Sequence, residues 1–221
     1  RILTWKKEFN YSAINNFAVR EAQGEYLLFL NNDVEIITEN WLEEMLQLCQ
    51  QKDVGMVGAK LYYPDDTIQH AGVVVGLGGV AAHVLCKLPR DAEGYMGRLR
   101  CVQEISAVTA ACMMVKTSVF KAVGGFDEEL KVAFNDIDLC MKVRKYGVKI
   151  VFTPYAELYH YESKSRGMED TPEKQLRFSR EVNCFRRKWE RELLKGDPYY
   201  NPNLTLNNTD CSLRKQEKNG D

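Results

Sequence analysis

An apolar run of strand length ends abruptly on amides and acids near the start of the chain. Residues 26–30 carry no polar alternation, a pattern typical of a strand buried on both faces of a parallel α/β sheet. Four polar residues follow its carboxyl end, namely Asn31, Asn32, Asp33 and Glu35. Ligands bind at the carboxyl ends of the strands in such sheets, and carboxylate oxygens suit Mg²⁺ or Mn²⁺. The pattern predicts that Asp33, with a weaker contribution from Glu35, binds a divalent cation; the alternative is an acidic turn that only ends the strand.

A second pair of acids lies at the start of a predicted helix. Apolar residues recur at helical spacing after this pair, and Gly147 is placed to end the helix. Asn135 is the expected N-cap, which puts Asp136 and Asp138 in the first turn. The helix dipole favours ionised carboxylates there, so the pair serves either the stability of the helix start or a chemical role.

A third polar cluster extends from His160 to Gly167 and includes Arg166. It follows the strand-like residues 148–152 and Pro154, so the pattern predicts a loop after a strand. A lone histidine on a loop is seldom a ligand. Three such clusters in order along one chain nevertheless favour a single site.

The remaining pattern is also α/β. Residues 12–22 and 117–123 are predicted to be helical, and residues 54–59 to form a strand. Thr38 is the expected cap of a helix to Gln50, Pro172 the expected start of a helix to Lys195, and the Gly-rich residues 61–103 are expected to form hairpins and loops.

These segments together resemble the glycosyltransferases of family 2, which have the GT-A fold, and within them the rhamnosyltransferase-like bacterial branch. The matching segments, in chain order, are Phe9-Asn10-Tyr11-Ser12 with Asn15-Asn16-Phe17-Ala18, Gly24 to Asp33, Tyr63-Pro64-Asp65-Asp66 with Ile68-Gln69-His70-Ala71-Gly72, Thr109-Ala110-Ala111-Cys112-Met113, Gly124-Gly125-Phe126-Asp127, Asn135-Asp136-Ile137-Asp138-Leu139, and His160 with Ser163 to Gly167. The order and spacing of the segments make the resemblance specific. Amides at Asn31, Asn32 and Asn135 replace acids of the family pattern and occur as variants in this branch.

The resemblance implies an α/β fold of the GT-A type, Rossmann-like as in nucleotide-diphospho-sugar transferases, with a mixed sheet flanked by helices. The family's domain begins with a βαβ unit that this sequence does not match, so residues 1–195 are expected to be the later two-thirds of that domain. Residues 196–221 are expected to be a polar C-terminal extension that is partly disordered.

The resemblance also implies an inverting transfer of a sugar from a nucleoside-diphosphate donor to a hydroxyl of a glycan or lipid-linked acceptor, in bacterial cell-wall or polysaccharide biosynthesis. The implied residue roles are Mn²⁺ or Mg²⁺ binding by Asp33 and His160 with Glu35 as a weaker ligand, contact with the donor and its diphosphate by Asn16, Asn31, Asn32 and Arg166, general base by Asp136, and acceptor-side contact by Asp138 and His70. His83 is expected to be either acceptor-side or structural.

The amino-acid composition limits the classes of partner and the cellular location that are expected. A net charge of −1 gives no general attraction to nucleic acid, so no nucleic-acid partner is expected. Seven scattered cysteines, odd in number and never spaced as CxxC, indicate reduced thiols and a cytoplasmic location. A lipid-linked acceptor would place the protein at the inner face of the membrane.

Three alternatives stay open at this level. A nucleotidyltransferase also uses a strand-end acid and a metal in an α/β fold, and a larger transferase could carry this segment as a non-catalytic interaction piece. The predicted C-terminal helix has an apolar stripe bordered by basic residues, the stripe being Phe178, Val182, Phe185, Trp189 and Leu193. Such a stripe indicates packing against the sheet, with peripheral contact to an anionic membrane as the alternative.

Overall fold

A central mixed sheet organises the protein, which the computed structural model describes over residues 1–162 and 171–215. The strands are β1 (Tyr26–Leu30), β2 (Val34–Ile36), β3 (Val54–Tyr62), β4 (Ile68–His70), β5 (Val73–Val75), β6 (Ala81–His83), β7 (Gln103–Glu104), β8 (Cys112–Lys116) and β9 (Lys149–His160). The sheet has the order β1-β8-β3-β9-β2, with β4 paired to β3 and β7 paired to β9, while β5 and β6 form a separate hairpin. This architecture confirms the predicted mixed sheet.

Helices cover both faces of the sheet. They are α1 (Tyr11–Glu21), α2 (Trp41–Cys49), α3 (Thr117–Ala122), α4 (Asn135–Tyr146), α5 (Pro172–Lys188) and α6 (Glu190–Lys195), and two 3₁₀ turns span Leu77–Gly79 and Tyr95–Arg100. Successive side chains of a strand point to opposite faces, and Met56 and Val57 of β3 accordingly belong to separate apolar clusters. The Val57 cluster includes Met45 of α2, and the Met56 cluster includes Leu139 and Val143 of α4. The sheet is therefore enclosed between α2 and α4.

The predicted surroundings of β1 were wrong, although its bounds were right. β1 pairs antiparallel with β8, and the parallel neighbours in this sheet are β3 and β9. Within β1, Leu27 and Phe29 are buried in one apolar cluster, Tyr26 and Leu28 are only partly buried against the other, and Leu30 is exposed. A short apolar run cannot distinguish this half-buried strand from a fully buried one.

The strand that carries His160 is longer than predicted. β9 continues through Pro154, where sequence reasoning ended it, and His160 is its last residue rather than part of a loop. Phe152 pairs with Gly58 and Glu157 with Lys60, so residues 153–156 bulge outward opposite a single residue of β3. A bulge leaves residues out of the ladder, which removes the objection to a proline without an N–H.

Three predicted helix features were wrong in detail. α2 begins after Asn40, because the Thr38 hydroxyl accepts the N–H of Glu157 instead of capping the helix. The N-cap of α4 is Phe134 and not Asn135. The long C-terminal helix breaks at Trp189, which separates α5 from α6.

The domain covers Phe185 and Trp189 of the apolar stripe, as the packing interpretation predicts, whereas Phe178 is 41% exposed. Phe185 is fully buried and Trp189 is 4% exposed, so docking of these rings on a membrane is excluded. Among residues 1–162 and 171–215, no helix is long and apolar enough to cross a bilayer. All seven cysteines are free.

The segment after α6 folds back onto the β5-β6 hairpin over its described part. The carboxylate of Asp197 accepts the N–H of Val75, and the carbonyl of Thr209 accepts the N–H of Leu85. Apolar side chains from this segment enter the core, namely Tyr200, Leu204 and Cys211. The segment therefore holds the hairpin against the domain as far as residue 215; residues 216–221 lie outside the described part of the chain.

Candidate functional site

The two predicted metal ligands lie side by side. Asp33 follows β1 and precedes β2, and its carbonyl accepts the N–H of Tyr161 at 2.8 Å. This pairing of β2 with the end of β9 brings Asp33 Oδ1 within 3.3 Å of His160 Nε2. Both side chains are nearly covered, at 13% and 11% exposure. Residues 127 positions apart in sequence thus share one small polar site.

Gln69 of β4 determines the tautomer of His160. Its amide nitrogen donates to the His160 carbonyl at 3.2 Å and to the Glu162 carboxylate at 3.3 Å, which fixes the orientation of the amide. Gln69 Oε1 therefore faces His160 Nδ1 at 2.7 Å, and Nδ1 must carry the proton. Burial lowers the pKa of His160 despite the nearby Asp33 carboxylate, which favours the neutral ring.

The neutral ring leaves a lone pair on His160 Nε2 beside the carboxylate. The Asn31 amide donates to Nε2 at 3.1 Å. Asp33 Oδ1 is buried and has no hydrogen-bond partner among the described residues, because the adjacent Nε2 bears no proton to donate. A buried orphan oxygen beside an imidazole lone pair is a donor set that suits a divalent cation.

Glu35 does not join this pair. Its side chain is exposed and accepts a hydrogen bond from the Tyr161 hydroxyl at 2.5 Å. No group of three or more His, Cys, Asp or Glu side chains able to hold a metal occurs within residues 1–162 and 171–215. Among the described residues the candidate protein ligands are therefore Asp33 and His160, and a bound cation would need further ligands from the substrate or solvent.

Three successive residues connect this pair to the predicted base. The N–H of Thr109 donates to His70 Nε2 at 3.4 Å, the N–H of Ala110 donates to Asp136 Oδ2 at 3.2 Å, and the carbonyl of Ala111 accepts the N–H of Asn31 at 3.0 Å. We call residues 109–111 the junction segment. It bonds to Asp136 through Ala110 and to Asn31 through Ala111, while the prediction that Asp136 and Asp33 face one cleft stays a prediction.

The loop before α4, which presents Asp136, is strained at Phe134. Phe134 has φ of 62°, a left-handed conformation that is uncommon for a residue with a bulky side chain. The ring of Phe134 packs on Phe185 of α5, and the Glu181 carboxylate of the same helix accepts the N–H groups of Val132 and Ala133. α5 thus maintains the loop that presents Asp136.

Asp138 does not lie on the acceptor side, which corrects the prediction. It is fully buried, its Oδ1 accepts the indole N–H of Trp189 at 2.9 Å, and its carboxylate pairs with Lys188 and Lys142. Residues two apart in a helix point about 200° apart. Asp136 therefore faces the junction segment while Asp138 faces α5.

His70 was predicted to contact the acceptor, and its burial corrects this prediction too. It is fully buried, and its Nδ1 lies 2.8 Å from Nδ1 of His83, whose ring is half-buried at the end of β6. The two rings meet edge to face with centroids 4.9 Å apart. Any contact of His70 with a ligand would have to pass through His83.

The predicted donor-side residues have different outcomes. The Asn16 amide bonds only to Phe126 and Glu128 among the described residues, which commits it to the turn before α4 rather than to a donor. Asn32 is exposed, Asn31 contacts His160 as described above, and Arg166 lies outside the described residues.

Sequence reasoning gave no site role to Gln69 or to the junction segment, although both lie in segments that match the family pattern. Gln69 adjoins a histidine on a short strand, and nothing local shows that its amide faces a ring 91 residues away. The junction segment is apolar apart from Thr109 and contributes backbone groups, which carry no sequence signal.

Comparison with known proteins defines the class of this one. A family model described as "Glycosyltransferase like family" matches residues 2–181. The chain belongs to glycosyltransferase family 2. It is 56% identical over 214 residues to an uncharacterised protein of Sinorhizobium fredii, and 42% identical over 220 residues to the O-antigen biosynthesis protein RfbC of Myxococcus xanthus. These matches cover 96% and 99% of the chain but only 23% and 17% of the relatives, so the chain spans about a fifth of their length.

Solved structures support the GT-A fold. GalNAc-T7, in a structure with UDP, GalNAc and Mn²⁺, superposes with a TM-score of 0.61 over 86% of this chain and 36% of that chain, at 13% identity. The mannosyltransferase PcManGT of Pyrobaculum calidifontis, in complex with GDP-Man and Mn²⁺, superposes with a TM-score of 0.53 over 81% of this chain and 43% of that one, at 16% identity. At these identities the likeness establishes the fold alone.

Proposed function

We propose that this chain transfers a sugar from a nucleoside-diphosphate donor to a hydroxyl of a glycan or lipid-linked acceptor, with inversion at the anomeric carbon. The observation that carries the proposal is the convergence on the junction segment of two groups. One is the Asp33–His160 pair, with its orphan oxygen and its lone pair, and the other is the Asp136 carboxylate.

Asp33 and His160 would hold Mn²⁺ or Mg²⁺ through Oδ1 and Nε2. When bound, the cation would neutralise the charge that develops on the leaving diphosphate. The Asn31 amide, which donates to Nε2 here, would have to release that lone pair and could then donate to a phosphate oxygen. Gln69 would keep the ring oriented throughout, as hydrogen-bond partners of metal-bound histidines do.

Asp136 would serve as the general base. Its Oδ2 accepts the Ala110 N–H and its Oδ1 accepts the Ile137 N–H, so each oxygen retains a lone pair for an incoming hydroxyl. The carboxylate would take the acceptor's proton as the hydroxyl oxygen attacks the anomeric carbon and the bond to the diphosphate breaks. A single displacement of this kind inverts the anomeric configuration and needs no covalent nucleophile on the protein.

The ligands of the structural neighbours support the donor class. Nucleotide or nucleotide sugar and Mn²⁺ accompany GalNAc-T7 and PcManGT in their structures. A bacterial polysaccharide acceptor is suggested by the O-antigen role in the name of the Myxococcus relative. The cytoplasmic location, with or without contact to the membrane face, stays a prediction. Family membership favours glycosyl transfer over the nucleotidyltransferase alternative.

The test is a transfer assay with Mn²⁺, a panel of UDP-, GDP- and dTDP-sugars, and methyl glycosides as acceptors. NMR of the product reports the anomeric configuration. Asp33→Ala should abolish metal-dependent turnover, and Asp136→Asn should lose about 10²–10⁴-fold in kcat while donor affinity is retained.

Two outcomes would contradict the proposal. Retention of the donor's anomeric configuration would exclude the single displacement. An Asp136→Asn protein that turns over normally but binds donor weakly would assign Asp136 to donor binding instead of proton transfer.

A further inference from the structure

The His70–His83 pair has a defined proton arrangement that the mechanism above does not use. The 2.8 Å contact between the two Nδ1 atoms requires one of them to donate and the other to accept. His70 Nε2 already accepts the N–H of Thr109. A neutral imidazole carries one proton, so that of His70 is on Nδ1 and is donated to His83.

The same reasoning fixes His83. Its Nδ1 accepts from His70, so the neutral ring of His83 carries its proton on Nε2. No described residue accepts a hydrogen bond from this Nε2–H. Burial lowers the pKa of His70, with the neighbouring His83 as a second cause, which keeps the buried ring neutral.

His83 is connected to the junction segment through His70, which contacts the His83 ring and accepts the N–H of Thr109. The carboxylates of Asp136 and Glu162 and the ring of His160 all act electrostatically on it. The backbone that carries His83 is well supported, because β6 pairs with β5 and the N–H of Val73 in β5 donates to the Ala107 carbonyl. The hairpin is further bonded to the C-terminal segment. His83 is thus a preset hydrogen-bond donor on a supported element, and its ring is only partly buried.

We propose that His83 recognises the acceptor by donating its Nε2–H to a sugar oxygen next to the hydroxyl that Asp136 deprotonates. His70 is then a positioning residue, because it determines which nitrogen of His83 carries the proton. This inference rests on the proposed function, since it concerns the acceptor of that reaction. It assigns the acceptor contact to His83 in place of the buried His70.

Amide substitutions give matched variants. The amide nitrogen of a glutamine reaches the position of histidine Nε2, and that of an asparagine the position of Nδ1. His83→Gln therefore keeps this donor and His83→Leu removes it. His70→Asn keeps the donor toward His83, and His70→Leu removes it.

The kinetic test measures acceptor KM with the best methyl glycoside found for the wild-type protein. We expect His83→Leu to raise acceptor KM about 3- to 10-fold with donor KM unchanged, as for loss of one neutral hydrogen bond, and His83→Gln to recover most of this loss. Thermal melts of each variant exclude unfolding as the cause. An unchanged acceptor KM in His83→Leu overturns the acceptor role.

The spectroscopic test measures imidazole ¹⁵N shifts, which distinguish protonated from unprotonated ring nitrogens. The wild-type protein and His70→Asn should show a proton on His83 Nε2, and His70→Leu should show a mixture of tautomers. A proton on His83 Nδ1 in the wild type overturns the arrangement regardless of activity. A wild-type protein that binds nucleotide and Mn²⁺ but transfers to no glycoside instead refutes the proposed function, and the acceptor role of His83 with it.

Discussion

Replacement of Asp138 by asparagine should distinguish a structural acid from the proposed general base, Asp136, two residues away. Asp138 is fully buried between α4 and α5, where Lys142 lies 3.1 Å away, Lys188 2.8 Å and the Trp189 indole nitrogen 2.9 Å. Asp138→Asn keeps an oxygen for the indole N–H. It removes the negative charge that both ammonium groups face.

The expected loss follows from what the two lysines retain. Breaking a buried ion pair typically destabilises by about 3–5 kcal/mol when the remaining charge is stranded. Here Lys188 also pairs with Asp127 and Lys142 also donates to the Gly125 carbonyl, so neither charge is left alone. We therefore expect a loss of about 2–3 kcal/mol in the free energy of unfolding. For a protein of this size that corresponds to a Tm lower by roughly 4–12 °C.

The assay is thermal unfolding by circular dichroism, with turnover measured in parallel well below Tm. Asp53→Asn is the control, because it removes only an exposed ion pair to Lys149 and should leave Tm nearly unchanged. Asp136→Asn should do the reverse of Asp138→Asn, losing turnover at an almost constant Tm. An Asp138→Asn protein that melts like the wild type but no longer turns over would refute this reasoning and return Asp138 to the acceptor side.

Three further predictions concern the hydrogen bond between Gln69 and His160, the loss of folding stability at acid pH, and the packing of a glycine in β3. Gln69→Leu should weaken Mn²⁺ binding about 10–100-fold in titration calorimetry, because the His160 ring loses its orientation; wild-type affinity would contradict this. Burial lowers the pKa of His70 well below 6.5 in the folded protein. As the pH falls below 6.5, the unfolded chain therefore takes up a proton at His70 before the folded protein does. The free energy of unfolding should then decrease by up to about 1.4 kcal/mol per pH unit for this group. Urea midpoints at pH 7.5 and 5.5 should therefore differ less for His70→Asn than for the wild type, and equal differences would count against a buried neutral ring. Gly55→Ala should lower the free energy of unfolding by about 1–3 kcal/mol, because the new Cβ overlaps Val148 Cγ2. The double variant Gly55→Ala, Val148→Ala should have a higher Tm than Gly55→Ala alone. A double variant with no higher Tm would show that the strain does not come from Val148.

Local signals account for the parts of the fold that the sequence predicted well. The bounds of β1 follow from an uninterrupted apolar run between Glu25 and Asn31. The end of α4 follows from Gly147, whose φ of 98° is a left-handed conformation that glycine adopts without strain. Each of these features depends on the type of a residue and its immediate neighbours.

The errors concern features set by distant contacts. The antiparallel pairing of β1 depends on β8, more than 80 residues further along the chain, and the course of β9 through Pro154 depends on a bulge against β3. Phe134 caps α4 in place of Asn135 because α5 holds the preceding loop. Burial of Asp138 and His70 likewise depends on tertiary packing, which two acids or a histidine in sequence cannot reveal.

The helix α5 supports the surroundings of both acids of α4, the proposed base Asp136 and its neighbour Asp138. Glu181 and Phe185 fix the loop that precedes Asp136, and Lys188 and Trp189 bond to Asp138 one helical face away. A strained loop persists only when contacts around it hold it in that conformation. The contacts at Asp138 contribute to this support, since they hold α5 against α4. The apolar stripe that suggested a membrane surface thus has a different role in this fold, which is to keep the Asp136 carboxylate at the junction segment.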